Sequence, residues 1–320
     1  MKVGVIGHKN HATKIINILA DQKNIKKIKI FLYKKYDKQN LNLKSKKIEY
    51  VYSINDLFDT CSIFISSPTK THKKYIKLFL NTKIYIFCEK PGGNGIIDLN
   101  FLRKIKTNKK GEIYFNYNFL FTKQIEFIKK MIQNKKVYGD LSFIELKLTN
   151  GISFKEEFSN NWRFKSKNIF DQITGNVGSH YINLLIWLFK SVKKKNILKL
   201  SVNKKNDTSL IVLKAGKRVL VNMYFSYSNP LSDEFNFFFS NSILRIKDNK
   251  IIILKPRDYF DKNKNFISPP IVLTEKLNQT YEYLSSLEKS IKFFLYKVEN
   301  NKKFSSKYFN NSLDTLKFFI

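Results

Sequence analysis

Arginine is scarce in this chain. Of 59 basic residues, set against 25 acidic ones, only Arg103, Arg163, Arg218, Arg245 and Arg257 are arginine. A formal net charge of +34 raises the question of nucleic acid. Specific nucleic-acid grooves, however, rely on arginine for base edges and phosphate forks. The excess here is lysine spread over the whole length beside Asn, Ile, Phe and Tyr, which reads as solvated surface. No nucleic-acid partner is expected; a general preference for anionic small ligands is. Cysteine is nearly absent. Cys61 and Cys88 stand beside or at the end of apolar runs, do not make a disulfide framework, and read as reduced thiols of a cytoplasmic protein. The longest strongly apolar stretch, residues 181–189, is far too short to cross a bilayer. The first residues pass straight into a strand, so neither a secretory leader nor a membrane partner is expected. There is no internal repeat and no long low-complexity linker.

What is present is 320 residues, 43% of them hydrophobic, enough for the cores of two modest domains. The first third alternates short apolar strands (residues 2–7, 28–33, 48–52, 62–67, 84–88 and 112–118) with helical spacing at 11–20, 71–80 and 99–105 and a brief helix at 55–58. That alternation predicts a doubly wound parallel sheet, whose ligands lie at the carboxyl ends of the strands. The pattern then changes. Helices are predicted at 124–133 and 178–189 and a strand at 141–149; strands at 210–213, 218–227, 234–240, 243–247 and 251–255 follow one another through short turns, and helix returns from residue 279. Consecutive strands of this kind predict an open, mainly antiparallel sheet. The expected division is 1–120 for a dinucleotide-binding domain and 121–320 for a substrate-binding and oligomerisation domain of α/β type.

Three segments carry chemistry. The first strand runs into Gly7-His8-Lys9-Asn10-His11-Ala12. A dinucleotide fingerprint wants glycine at the positions of Gly7, Lys9 and Ala12: for the tight turn, for close approach of the pyrophosphate, and for packing of helix on strand. Gly7 is intact and Ala12 is a mild change. Lys9 crowds the phosphate path with its Cβ, although its ammonium could reach the phosphates. After the second strand comes Tyr33-Lys34-Lys35 in place of an acidic ribose ligand, which favours NADP over NAD. The second segment is Cys88-Glu89-Lys90-Pro91 followed by Gly92-Gly93, a lysine pinned at the mouth of a buried strand. The third is Gly175-Asn176-Val177-Gly178-Ser179-His180 leading into the apolar helix at 181–189. Histidine is the natural acid/base near neutral pH, and Asn176, four residues before His180, would share its face if that turn is helical. A further turn, Ser67-Pro68-Thr69-Lys70-Thr71-His72, suits a loop beside a cofactor, with plain helix capping by Thr69 or Thr71 as the alternative.

These segments, with Tyr117-Asn118-Phe119 and Trp162-Arg163-Phe164, resemble in order and spacing the glucose–fructose oxidoreductase / inositol dehydrogenase / rhizopine-catabolism (Gfo/Idh/MocA) oxidoreductase family over most of the chain. The resemblance implies a nicotinamide-binding Rossmann domain followed by an α/β domain whose open sheet often forms the oligomer interface. It implies hydride transfer, with NAD or NADP, at a carbinol or carbonyl of a sugar, polyol or nucleotide-sugar, and no metal. Carried over, Lys90 would hydrogen-bond the reacting oxygen and His180 would be the acid/base, with Asn176 beside it. Gly7, His8, Lys9, Asn10, His11, Lys34, Ser67, Pro68, Thr69, His72, Glu89, Lys90, Asn118, Trp162 and Arg163 would meet the cofactor. The chain departs from the family at Lys9, at Asn176 where an aspartate is usual, at Asn183 where an aspartate is frequent, and at Leu120 where an arginine is frequent. The departures at Lys9, Asn176 and Leu120 motivate a second implication: a catalytically impaired sensor of the same superfamily.

Overall fold

In the computed structural model, which describes residues 1–33, 43, 45–158, 162–255 and 259–320, six short apolar runs of the first 118 residues pair in parallel. They are β1 (Lys2–Ile6), β2 (Lys27–Phe31), β3 (Ile48–Val51), β4 (Ser62–Ile65), β5 (Tyr85–Glu89) and β6 (Ile113–Asn116). Their spatial order is β3-β2-β1-β4-β5-β6. The chain moves outward one way from β1, then returns and moves outward the other way from β4. The reversal between β1 and β4 is the switch point at which doubly wound sheets bind ligands. The crossovers carry α1 (Asn10–Asp21), α2 (His72–Phe79), α3 (Ile96–Arg103) and the single turn α4 (Thr107–Lys110). β4 and β5 are buried along their whole length, as strands covered on both faces must be. Helix α1 buries Ala12, Ile15, Ile16 and Leu19, one stripe at helical spacing.

The second sheet has eight strands in the order β14-β13-β12-β11-β7-β10-β9-β8. These are β7 (Leu141–Thr149), β8 (Val192–Leu200), β9 (Thr208–Ala215), β10 (Val219–Ser226), β11 (Ser232–Phe239), β12 (Ser242–Lys247), β13 (Lys250–Leu254) and β14 (Ile271–Lys276). It is mixed: every neighbouring pair is antiparallel except β7 with β10. Before it come α5 (Lys123–Gln133) and the short α6 (Lys135–Tyr138). Between β7 and β8 lie the single turns α7 (Trp162–Lys165) and α8 (Ile173–Asn176) and then α9 (Gly178–Phe189). One face carries Ile144, Leu146, Ile211, Leu213, Val221, Met223, Phe225, Phe235 and Phe237 in the core. Tyr181 of α9 stacks on Phe225 and meets Phe235 on that face. β8 and β14 were not expected from the sequence; both are largely exposed edge strands that lack an apolar stripe.

The chain closes with α10 (Gln279–Glu299) and α11 (Ser306–Phe319). The compact units are Met1–Asn118 with Ser286–Phe318 and Ile320, and Phe119–Ser285 with Phe319. Residues 286–318, placed with the second domain by the sequence reading, thus pack with the parallel sheet. The cause is an aromatic cluster. Phe294 of α10 meets Phe64 and Phe87 edge-on at 5.2 and 5.3 Å and stacks on Phe304 at 5.6 Å, while Tyr114 meets Phe304 at 5.2 Å. Aromatic pairs at this spacing are favourable beyond the area they bury. Among the described residues, no helix is long and apolar enough to cross a membrane.

Candidate active site

β1 ends beside β4, and Gly7 makes the turn. Its φ of +122° and a Cβ position 2.4 Å from the Ser66 carbonyl oxygen admit no side chain. Lys9 caps α1 in extended backbone without a side-chain bond to the helix, so the first amide groups of α1 have no acidic residue of their own turn to satisfy them. Ala12 is buried, as the close packing of α1 on the sheet requires. The turn therefore fits a phosphate-bearing dinucleotide: a glycine-only bend, a helix beginning at the switch point, and exposed Lys9 and Asn10 around it. Lys34 lies outside the described residues.

β5 delivers the next group. Glu89, its last residue, is 8% exposed and has its carboxylate engaged from two sides. His11 Nε2 lies 2.8 Å from Oε1, and Asn116 Nδ2 donates to the same oxygen at 2.7 Å. Behind Asn116, Ser290 Oγ donates to its Oδ1 at 2.7 Å and lies 2.9 Å from the Tyr114 hydroxyl. The Glu89 carboxylate raises the His11 pKa above the usual histidine value against burial, Lys90 and Lys14. Burial pushes Glu89 upward, but His11, Asn116 and Lys90 outweigh it and hold the carboxyl below its ordinary value. Each partner thus favours the charged form of the other. Lys90 follows at once, then Pro91 and Gly92, whose missing Cβ would meet the Phe115 ring at 2.6 Å.

The loop after β4 braces the same turn. His72, 1% exposed, places Nδ1 2.9 Å from the Pro91 carbonyl oxygen and Nε2 2.9 Å from that of Ser67. Burial pulls its pKa down against both carbonyls. The sequence reading set His72 against the cofactor; its ring nitrogens face backbone instead, and it ties the β4 loop to the Lys90 turn. Thr71 Oγ1 donates to the Pro68 carbonyl oxygen at 2.7 Å and pairs with Ser67 Oγ, while neither Pro68 nor Thr71 caps its helix through a side chain. Asn118 is buried and donates to Ser286 Oγ at 2.9 Å, so its amide serves the seam with α10.

In the second unit, Asn176 ends α8 and His180 lies in the first turn of α9, with Val177 between the two helices. The expected continuous face is therefore two successive helices. Asn176 Nδ2 donates to the Tyr227 hydroxyl at 3.2 Å, and the His180 ring packs on Phe119 at 5.0 Å. Trp162 and Arg163 begin α7, and their side chains lie outside the described residues. Sequence reasoning missed one group. Asp233 shares its strand parity with Phe235 and Phe237, so it lies on the helix-covered face of β11. Burial pushes its carboxyl up to about 6, and its charge bears on Tyr181, the neighbour of His180. The alternation 233-235-237 was the signal available for it. Among the described residues, no group of three or more His, Cys, Asp or Glu could hold a metal ion.

A doubly wound sheet with a glycine turn at its switch point, joined in one chain to a large open mixed sheet, defines a two-domain dinucleotide-dependent architecture. Residues 1–105 match the GFO_IDH_MocA family, described as an oxidoreductase family with an NAD-binding Rossmann fold. The match covers about a third of the chain, all of it within the first unit. No curated protein matches the sequence. Solved structures match over the whole chain. A myo-inositol dehydrogenase from Corynebacterium glutamicum is 16% identical with a TM-score of 0.76, covering 99% of this chain and 93% of its own. A 3-ketoreductase from Actinomadura kijaniata, in complex with NADP and TDP-benzene, is 13% identical with a TM-score of 0.77, covering 99% and 94%. A UDP-N-acetylglucosamine 3-dehydrogenase from Acidithiobacillus ferrooxidans is 12% identical with a TM-score of 0.72, covering 100% and 96%. These likenesses establish the fold from end to end.

Proposed function

We propose that this protein transfers a hydride between a nicotinamide dinucleotide and a carbinol or carbonyl carbon of a sugar, polyol or nucleotide-sugar in the cytoplasm. The observation that carries the reading is the Lys90 turn, fixed on one side by Glu89 with His11 and Asn116, and on the other by His72 at the Pro91 carbonyl. A freely solvated lysine requires no such support.

Gly7, His8, Lys9, Asn10 and His11 would hold the cofactor, with Lys34 favouring the extra phosphate of NADP. The cofactor, when bound, supplies or accepts the hydride. Lys90 places its ammonium at the reacting oxygen and stabilises the developing alkoxide. His180 takes or gives the proton, since oxidation of a carbinol must release a proton from oxygen as a hydride leaves carbon. Asn176 orients a substrate hydroxyl through its amide but exchanges no proton. Nucleotide-sugars are favoured among substrates by the excess of positive charge. We further infer that copies assemble through the face of the eight-stranded sheet that carries the exposed Leu220.

Lys90→Met, screened with sugars, polyols and nucleotide-sugars, should lower kcat by about two to three orders of magnitude. Fluorescence titration should show cofactor affinity little changed. Full activity in the variant would remove Lys90 from the chemistry.

A further inference from the structure

The first turn has lost the glycine that lets a backbone approach a diphosphate, and its replacement, Lys9, is exposed with no fixed partner in the helix cap. Two residues later, in the first turn of that helix, stands a titratable side chain that is fixed. His11 is held at 2.8 Å by a carboxylate that is itself 8% exposed and locked by Asn116. The His11 side chain remains 38% exposed, so the pair has a buried anionic end and an accessible cationic one. A positive charge in the first turn of a helix is opposed by the helix dipole. Glu89 is what makes it tenable there. A diphosphate arriving at the same helix end brings the opposite sign and meets both the dipole and the imidazolium favourably.

We propose that His11, paired to buried Glu89, supplies the cation that receives the diphosphate of the nicotinamide dinucleotide, in place of the close backbone approach that Lys9 obstructs. The inference rests on the proposed cofactor-dependent function and adds a property to it: cofactor capture depends on the protonation of one side chain. The charged groups bearing on that side chain are Glu89 from β5, Lys90 just beyond it, and Lys14 from α1 itself. Glu89 favours the imidazolium and the two lysines oppose it. Affinity should therefore be full on the acid side and fall as pH rises through the His11 pKa, which lies above the usual histidine value. Glu89, buried and doubly engaged, is a positioning residue in this scheme, and its consequence reaches the adjacent Lys90 through the chain.

The test is equilibrium binding of NADPH, NADH and inorganic pyrophosphate from pH 6 to 9, together with NMR titration of the His11 ring. Wild type should lose about tenfold in affinity over that range. His11→Asn should bind weakly with a flattened pH response, and His11→Arg should bind tightly with the same flat response. Glu89→Gln should move both the His11 titration and the fall in affinity to lower pH. Binding by His11→Asn equal to wild type with the same pH slope would overturn the proposal. So would a His11 titration that Glu89→Gln leaves unmoved. If wild type binds neither dinucleotide at any pH, the proposed function fails; the pyrophosphate and NMR measurements then decide whether His11 is an anion-receiving cation at all.

Discussion

Single residues show where stability has been set aside. Asp233 lies on the covered face of β11, and burial lifts its carboxyl from an ordinary 3.8 to about 6. The folded state holds this proton more tightly than the unfolded chain. Its stabilising contribution is therefore complete below the ordinary carboxyl pKa and is lost as pH rises through about 6. Charging it in its buried site costs on the order of 2–3 kcal/mol more than charging an ordinary exposed carboxyl. Asp233→Asn should raise the melting temperature at pH 7.5 and flatten its fall between pH 4 and 7. An unchanged melting temperature at pH 7.5 would show that the charge is accommodated without cost. A buried acid placed beside the helix of His180 at such a cost is a natural second residue to test for activity.

At the scale of elements, legibility followed local pattern. β7 and α9 occupy the residues that alternation and apolar helical spacing assign them, Leu141–Thr149 and Gly178–Phe189. β8 was missed because Val192–Leu200 is a lysine-rich edge with almost every side chain exposed. Lys90 and His180 were legible as candidates because their surroundings are local: a proline and two glycines for one, a glycine-flanked helix start for the other. The partnership of His11 with Glu89 was not, because it depends on the strand order that brings β5 near the first turn. The brace from His72 to Pro91 was hidden for the same reason. So was the role of α10, whose amphipathic pattern says that it packs but not on which sheet. Phe294 gives the measure of that packing, buried at 0% exposure among Phe64, Phe87 and Phe304. Phe294→Ala should cost about 3–5 kcal/mol in urea unfolding. Phe294→Leu should cost clearly less. Equal, small losses in both would mean that α10 contributes little to the core.

For the whole molecule, the proposed assembly rests on the face of the second sheet that carries Leu220, Phe143 and Phe238. Leu220 is 55% exposed there, near a Phe143–Phe238 ring contact at 5.5 Å on the same side of the pleat. Charged groups are interspersed: Lys147 and Lys247 both pair with Glu234. Light scattering on wild type should give more than one copy, and Leu220→Lys should reduce the mass toward a single copy. A monomeric wild type at micromolar concentration would end the proposal. The division into units has a different consequence. The parallel sheet is encoded in the first 118 residues, yet its aromatic cover arrives only with residues 286–318. On a ribosome, the cofactor unit must therefore wait, with Phe64, Phe87 and Tyr114 uncovered, until nearly the whole chain has emerged. Almost all of the unit formed by Phe119–Ser285 is available earlier, so the part of the protein translated first is the last able to finish folding.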